Sequence, residues 1–321
     1  MRVVITGGCG FLGRRVALQL LARGDVDELI VFDNAPPALP LPKDKRLRLV
    51  TGDIADHVAV RHLISPGMDS VFHLAAVVSG QAEADTDLGY RVNLDGTRAV
   101  LDASRALGTC PRVVFASSLA VYGGELPPMV GDATPLTPQT SYGTQKAIGE
   151  LLVNDYCRKG FIDGRAVRLP TVVVRPGHPN RAASTFASSI IREPLAGREA
   201  VCPVSPDTVM ALASPRRIID ALLRAHDLPG DAFGASRSLQ LPGFSVAVGD
   251  MAAAVRRAGG AEAYARIRWQ PDPQVQQIIS GWPRALHAPR AEALGFAADT
   301  GIDELVQAFI EDDLGMQKQL V

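Results

Sequence analysis

The sequence has only 4 cysteines in 321 residues, and Cys9, Cys110, Cys157 and Cys202 lie far apart. No Cys-x-x-Cys pair occurs and no histidine stands near them at metal-ligand spacing, which argues against a disulfide framework and against a zinc site. Free thiols in a reducing compartment, and no bound metal, are expected. A run of about eighteen apolar residues is missing as well, so a membrane-spanning helix is excluded. The first residues enter a strand directly, without the basic segment, apolar stretch and cleavage site of a secretory leader, and a cytoplasmic location is the expectation. Nor is there a surplus of one charge, since 33 Lys plus Arg stand against 34 Asp plus Glu with no long block of one sign. Nucleic acid and a membrane surface are thereby set aside as main partners. Internal repeats and low-complexity tracts are absent.

What is present starts at the N-terminus. Arg2-Val3-Val4-Ile5-Thr6 is a short β-branched run that reads as a buried strand, and Gly7-Gly8-Cys9-Gly10-Phe11-Leu12-Gly13 follows at once. Beyond Gly13, Val16, Ala17, Leu20 and Leu21 recur at helical spacing, and Gly24 marks a stop. Strand, glycine turn and helix is the setting in which a dinucleotide pyrophosphate rests on a helix N-terminus. The glycines remove Cβ atoms that would hold backbone and phosphate apart. A second strand, Glu28–Phe32, ends at Asp33, 20 positions beyond Gly13. A carboxylate there accepts hydrogen bonds from a ribose diol and repels a 2′-phosphate, which favours NAD over NADP; the plainer reading is a solvated turn residue.

A Pro-rich loop over 35–42 leads to a third strand, Leu47–Val50, and to Thr51-Gly52-Asp53-Ile54. Asp53 and Ile54 read equally as contacts to an adenine and as ordinary strand-end residues, Asp being a common helix cap. A short helix is expected over Val58–Ile64, a fourth strand over Ser70–Ala76, a long crossover helix over Tyr90–Leu107 and a fifth strand from Pro111 into Ser117-Ser118. A long helix from Ser141 to about Lys159 and a sixth strand over Gly164–Leu169 follow. His73, inside an apolar run, reads as a satisfied core histidine, and Asn93 is a poor helix former placed inside a helix. Regular alternation of strand and helix predicts a parallel sheet covered on both faces. After Arg168 the alternation weakens. Prolines punctuate 170–215, which reads as loops and short elements, before a helix at Arg216–Leu228, strands at Ser238–Leu241 and Ala265–Trp269, and a closing helix at Asp299–Leu314.

Tyr142 and Lys146 stand 4 apart, on one face of their helix. A tyrosine of ordinary pKa, about 10, is a poor base at neutral pH, and a cation held beside it favours the phenolate. Lys146 can supply that charge and reach a nicotinamide ribose, while Ser118, ending the preceding strand, can hydrogen-bond a substrate oxygen.

Through Thr6–Gly13, Asp33, Gly52-Asp53-Ile54, His73-Leu74-Ala75-Ala76, Asn93, Ser117–Gly123 and Tyr142 with Lys146, the chain resembles the extended short-chain dehydrogenase/reductase superfamily over nearly its whole length. That superfamily includes NAD-dependent epimerases and dehydratases. The resemblance implies an α/β fold, a Rossmann-type doubly wound parallel sheet with a smaller α/β substrate lobe at its carboxyl edge. Residues 1–169, plus about 211–237, would form the NAD-binding domain, about 170–210 and 238–298 the lobe, and 299–321 a C-terminal helix. It implies a catalytic triad of Ser118, Tyr142 and Lys146, with Tyr142 the acid/base. An NAD site is implied at Gly7, Gly10, Phe11, Leu12, Gly13, Asp33, Asp53, Ile54, Ala75, Asn93, Tyr142, Lys146 and Pro170. Two copies would pair through the long helices, about Tyr90–Leu107 and Tyr142–Lys159, as a homodimer.

Dehydratases of the superfamily use an acidic pair directly after the hydroxyl residue. Here those positions are Leu119 and Ala120, which disfavours dehydration. The stretch Arg168–Asn180, continued through Ala183-Ser184, Phe186–Ser188 and Ile190–Leu195, looks like the D-erythronate dehydrogenase group, which oxidises the C2 hydroxyl of a four-carbon sugar acid with NAD. A small carboxylate substrate wants a fork-shaped cation, for which Arg175, Arg181 and Arg192 are candidates. Substrate contacts are expected from Ser79, Ser118, Tyr142, Thr171, Arg175, Asn180 and Arg192. The alternative reading is a nucleotide-sugar 4-epimerase that retains its NAD, since the triad serves both reactions.

Overall fold

The first strand, β1 (Arg2–Thr6), buries Val3, Val4 and Ile5 completely, as a strand covered on both faces must. It lies inside a seven-stranded sheet with β2 (Glu28–Asp33), β3 (Leu47–Thr51), β4 (Ser70–His73), β5 (Arg112–Ser118), β6 (Asp163–Leu169) and β7 (Ser238–Gln240), in the order β7-β6-β5-β4-β1-β2-β3. Neighbours β1–β2, β2–β3, β1–β4 and β4–β5 are parallel, with Thr6 opposite Phe32 on one side and His73 on the other. Strand order reverses at the β1–β4 junction, so the fold is the expected doubly wound α/β sheet, and the crevice beyond the carboxyl ends of β1 and β4 is where such sheets bind ligands.

The computed structural model describes residues 1–177 and 183–319. The chain divides into two units, one of Met1–Val121, Thr140–Arg168 and Ile219–Leu239, the other of Tyr122–Gln139, Leu169–Ile218 and Gln240–Val321. In the first, α1 (Phe11–Leu21) turns Val16, Ala17, Leu20 and Leu21 inward, the face its spacing predicts. The crossover helix expected over Tyr90–Leu107 opens with a wider π turn, Tyr90–Asp95, before continuing as α2 (Gly96–Ala106). Asn93 lies in that turn, its side chain buried. The long helix α3 (Ser141–Arg158) is capped by Thr140, whose hydroxyl accepts the Gly143 N–H.

The second unit holds more regular structure than its prolines suggest. A helix at Thr185–Leu195 survives Pro194 because the proline stands in its last turn, where one lost N–H bond ends little helix. Another occupies Val248–Ala265, broken at Gly260 where φ reaches 77°. Both enter one apolar core with Met210, Leu212 and the helix Ile302–Phe309. That last helix starts at Ile302 and continues to Gln319, rather than spanning Asp299–Leu314. Asp299 is held outside it because its buried carboxylate accepts the Ser214 N–H at 2.7 Å. Among the described residues no helix is long and apolar enough to cross a membrane, and no cluster of His, Cys, Asp and Glu could hold a metal ion.

Candidate active site

The turn after β1 is built around close backbone approaches. Gly7 has φ of 69°, and a Cβ there would lie 2.6 Å from the Ala75 amide nitrogen, so the ends of β1 and β4 meet without side chains between them. Gly13, in the first turn of α1, sits on the Gly7 carbonyl, which a Cβ would approach to 2.3 Å. Gly10 caps the helix without any side-chain hydrogen bond. The first N–H groups of α1, those of Phe11, Leu12 and Gly13, have no partner within the helix and lie at its positive end. A backbone cradle closed to side chains, with donors at its helix end, fits the pyrophosphate of NAD.

Asp33, leaving β2, folds back on this turn and accepts the Cys9 N–H at 3.0 Å and the Asn34 N–H at 2.8 Å. Its carboxylate is thereby fixed beside the cradle, where an adenosine ribose would follow the pyrophosphate. Asp53 is not a helix cap, for Asp56 caps the next helix by accepting from Val58 and Ala59. Asp53 instead accepts the Ala55 N–H and pairs with Arg91, and these two contacts hold its carboxyl below the usual range. Ile54 is buried against Gly96.

In the same unit Lys146, Tyr142 and Ser118 gather where α3 meets the end of β5. Lys146 is 2% exposed, and its Nζ donates to the Ala116 carbonyl at 2.8 Å, two residues before Ser118. The ammonium lies 4.7 Å from the Phe115 ring centre and 5.7 Å from that of Tyr142. Burial pushes Lys146 down to about 8, while the carboxylate of Glu150 works in the other direction. Ser118 Oγ accepts the Ala120 N–H at 3.1 Å, which leaves the hydroxyl proton for an oxygen in the site. Tyr142 is half-buried at the start of α3. Leu119 and Ala120 bring no acid or base after Ser118.

Behind these residues runs a buried polar chain whose direction follows from its donors. Thr97 Oγ1 donates to the Asn93 carbonyl at 2.6 Å, so it accepts from His73 Nε2 at 2.9 Å. His73 is therefore the Nε2–H tautomer, and its Nδ1 accepts from Thr6 Oγ1 at 2.7 Å. Burial, helped by the Lys146 charge, holds the imidazole down to about 3, so it is neutral at pH 7 and serves as a structural core histidine. The Asn93 side chain is spent on the protein: it donates to the Val77 carbonyl and to Gln145 Oε1, and accepts the Val77 N–H at 2.8 Å. These bonds brace the segment after β4 against α3.

Of the expected substrate residues, Ser79 begins a short helix, Ser79–Ala84, in the first unit. Ser118 and Tyr142 lie in the same unit, whereas Thr171, Arg175 and Arg192 belong to the second. Pro170 is buried beside Gly243, and Thr171 begins a two-residue strand paired with Leu212. Arg175 reaches Ser184 Oγ from Nη2 at 3.1 Å. Arg192 has a different employment. It is 1% exposed, pairs with Glu193, and donates to the Arg175 carbonyl and Ser189 Oγ, so its guanidinium is consumed in the core and is not presented to a ligand. Asn180 and Arg181 lie outside the described residues.

Ser117, Glu150 and Arg168 form a buried cluster beside Lys146, and Glu150 is the member that the sequence reading does not single out. The signal was available in the spacing, because Glu150 repeats the four-residue step from Tyr142 to Lys146 on the same helix face.

Residues 3–226 match the model of the NAD dependent epimerase/dehydratase family. The chain is 52% identical to a D-erythronate dehydrogenase of Cupriavidus necator over 97% of its length and 98% of that protein. It is 45% identical to a D-erythronate dehydrogenase of Haemophilus influenzae, covering 98% of this chain and 100% of the relative. Among solved structures it is similar to the nucleoside-diphosphate-sugar epimerase from Agrobacterium tumefaciens, with a TM-score of 0.93, 42% identity, and coverage of 98% of this chain and 95% of that one.

Proposed function

The chain belongs to the NAD dependent epimerase/dehydratase family, and from that premise we propose that it oxidises the C2 hydroxyl of D-erythronate to 2-dehydro-D-erythronate with NAD. The observation that carries the reading is its near-full-length identity, 52% and 45%, to two D-erythronate dehydrogenases. The site chemistry agrees with an alcohol oxidation. NAD, when bound, supplies the hydride acceptor. Tyr142 as phenolate takes the proton of the C2 hydroxyl, and Lys146 keeps a positive charge beside that ring. Ser118 donates to the same substrate oxygen and fixes its orientation. With Leu119 and Ala120 after Ser118, no acid or base stands there to eliminate water.

In this reading the glycine turn, Asp33, Asp53, Ile54 and Ala75 hold the cofactor. Thr171 and Arg175 take the hydroxyls and carboxylate of the sugar acid, and Arg192 is left out because its guanidinium is already consumed. The enzyme acts as a cytoplasmic homodimer through α2 and α3, on whose surface Leu151 stays 65% exposed. The test is direct. Purified protein given free NAD and D-erythronate should raise the NADH absorbance steadily. A protein that holds NAD through purification, isomerises UDP-sugars and leaves the NADH signal flat is an epimerase instead.

A further inference from the structure

Three polar side chains follow each other at four-residue steps along α3: Tyr142, Lys146 and Glu150. The first two serve the oxidation, whereas Glu150 is 1% exposed and turns to the strands. Its Oε1 accepts the Ser117 hydroxyl at 2.5 Å and Arg168 Nε at 2.9 Å, and its Oε2 accepts Arg168 Nη2 at 2.7 Å. Burying an ion pair of this kind costs desolvation that its mutual attraction only offsets, so stability alone is a poor reason to keep it. Its location supplies a better one. Ala116 is tied to α3 by Lys146, and Ser117 is tied to α3 by Glu150, so two successive residues of β5 are fixed to one helix immediately before Ser118.

We propose that Glu150 is a positioning residue for the oxidation: with Ser117 and Arg168 it locks α3 to the end of β5, and its carboxylate is the counter-charge that keeps Lys146 protonated beside Tyr142. Lys146 faces Tyr142 and Glu150 from its own helix and His73 from β4, and the Arg168 guanidinium of β6 is bound to Glu150. His73 is neutral, so apart from the Tyr142 phenolate itself the negative charge in this group is that of Glu150. Without it, the Arg168 cation stands unbalanced near a second buried cation, and the proton on Lys146 is the one that can leave.

The inference rests on the reading of Ser118, Tyr142 and Lys146 as the reacting group, and its main test needs no turnover. Lys146 is one of only 5 lysines, so in protein labelled at lysine its side-chain NMR signal can be assigned by its loss in Lys146→Met and titrated with pH. The midpoint should fall by about one pH unit or more in Glu150→Gln relative to the wild type, and return toward it in Glu150→Asp. An unmoved midpoint in a folded Glu150→Gln protein overturns the proposal, as does a drop in melting temperature with the titration and the pH profile of kcat both unchanged. If Glu150→Gln does not fold, Ser117→Ala decides. That variant keeps the ion pair and loses one tie, and should lower kcat about tenfold through misplacement of Ser118. Wild-type kcat there overturns the proposal. A wild type that ignores D-erythronate while the Lys146 midpoint still moves would sink only the substrate reading.

Discussion

One methyl group added at Gly13 tests how the cofactor cradle is built. An ideal Cβ at this position lies 2.3 Å from the Gly7 carbonyl oxygen, 2.6 Å from Gly8 Cα and 3.0 Å from the Gly7 carbonyl carbon. All three are backbone atoms, so no side chain can swing aside. The start of α1 must therefore move off the turn by roughly an ångström, at the overpacking cost of about 1–3 kcal/mol. The same turn orients the N–H groups offered to the pyrophosphate, so the cost appears in binding, as a weakening of NADH affinity by about 5- to 150-fold. NADH fluorescence titration of Gly13→Ala measures it. Gly24→Ala is the control, since nothing lies within 4 Å of a Cβ there. Wild-type NADH affinity in Gly13→Ala, or an equal loss in Gly24→Ala, would refute the contact between α1 and the turn as the reason for the glycine.

Three further predictions concern two arginines and the buried histidine. Arg175→Met should raise KM for D-erythronate by about tenfold or more with NADH affinity unchanged, because a charge-assisted contact to the carboxylate is lost; an unaltered KM removes Arg175 from the substrate site. Arg192→Met should instead destabilise the protein by about 1–3 kcal/mol, because the Arg175 carbonyl and Ser189 Oγ lose a buried charged donor and Glu193 keeps only Arg198, and a wild-type melting temperature would contradict that role. His73 falls from 6.5 to about 3 on folding, so its contribution is complete above pH 6.5 and is lost as pH drops toward 3. Between pH 7 and pH 5 the wild type should lose about 2 kcal/mol in urea unfolding that His73→Gln does not lose. Parallel pH slopes for the two proteins would refute the burial of a neutral imidazole.

The parts of the fold that were legible in the sequence are those where one local rule acts. Val3, Val4 and Ile5 announce a strand buried on both faces, and the alternation of strands and helices through Leu169 announces the parallel sheet. Gly7 and Gly13 mark places where backbone meets backbone, and Tyr142 and Lys146 share a helix face by spacing alone. Less legible were features decided by distant partners. Nothing local marks Glu150 and Arg168 as partners until the fold brings them together. Arg192 read as a substrate ligand for the same reason, its partners Ser189 and Glu193 being invisible as such before the core closes. Asn93 looked misplaced in a helix because its amide is satisfied by Val77 and Gln145 across a π turn. Helix Thr185–Leu195 was hidden by Pro194, whose cost is small only because the helix ends one residue later. The stretch Tyr122–Gln139, lying in the second unit, bears no local mark of leaving the first.

The claim on which the account depends is that Tyr142 takes the proton of an alcohol that this protein oxidises. The most direct measurement is NADH production from D-erythronate and NAD by the wild type and Tyr142→Phe side by side, with NADH affinity determined for both. The wild type should form NADH steadily, and Tyr142→Phe should show a kcat lower by at least about a hundredfold with NADH affinity nearly intact. Undiminished turnover in Tyr142→Phe would contradict that claim.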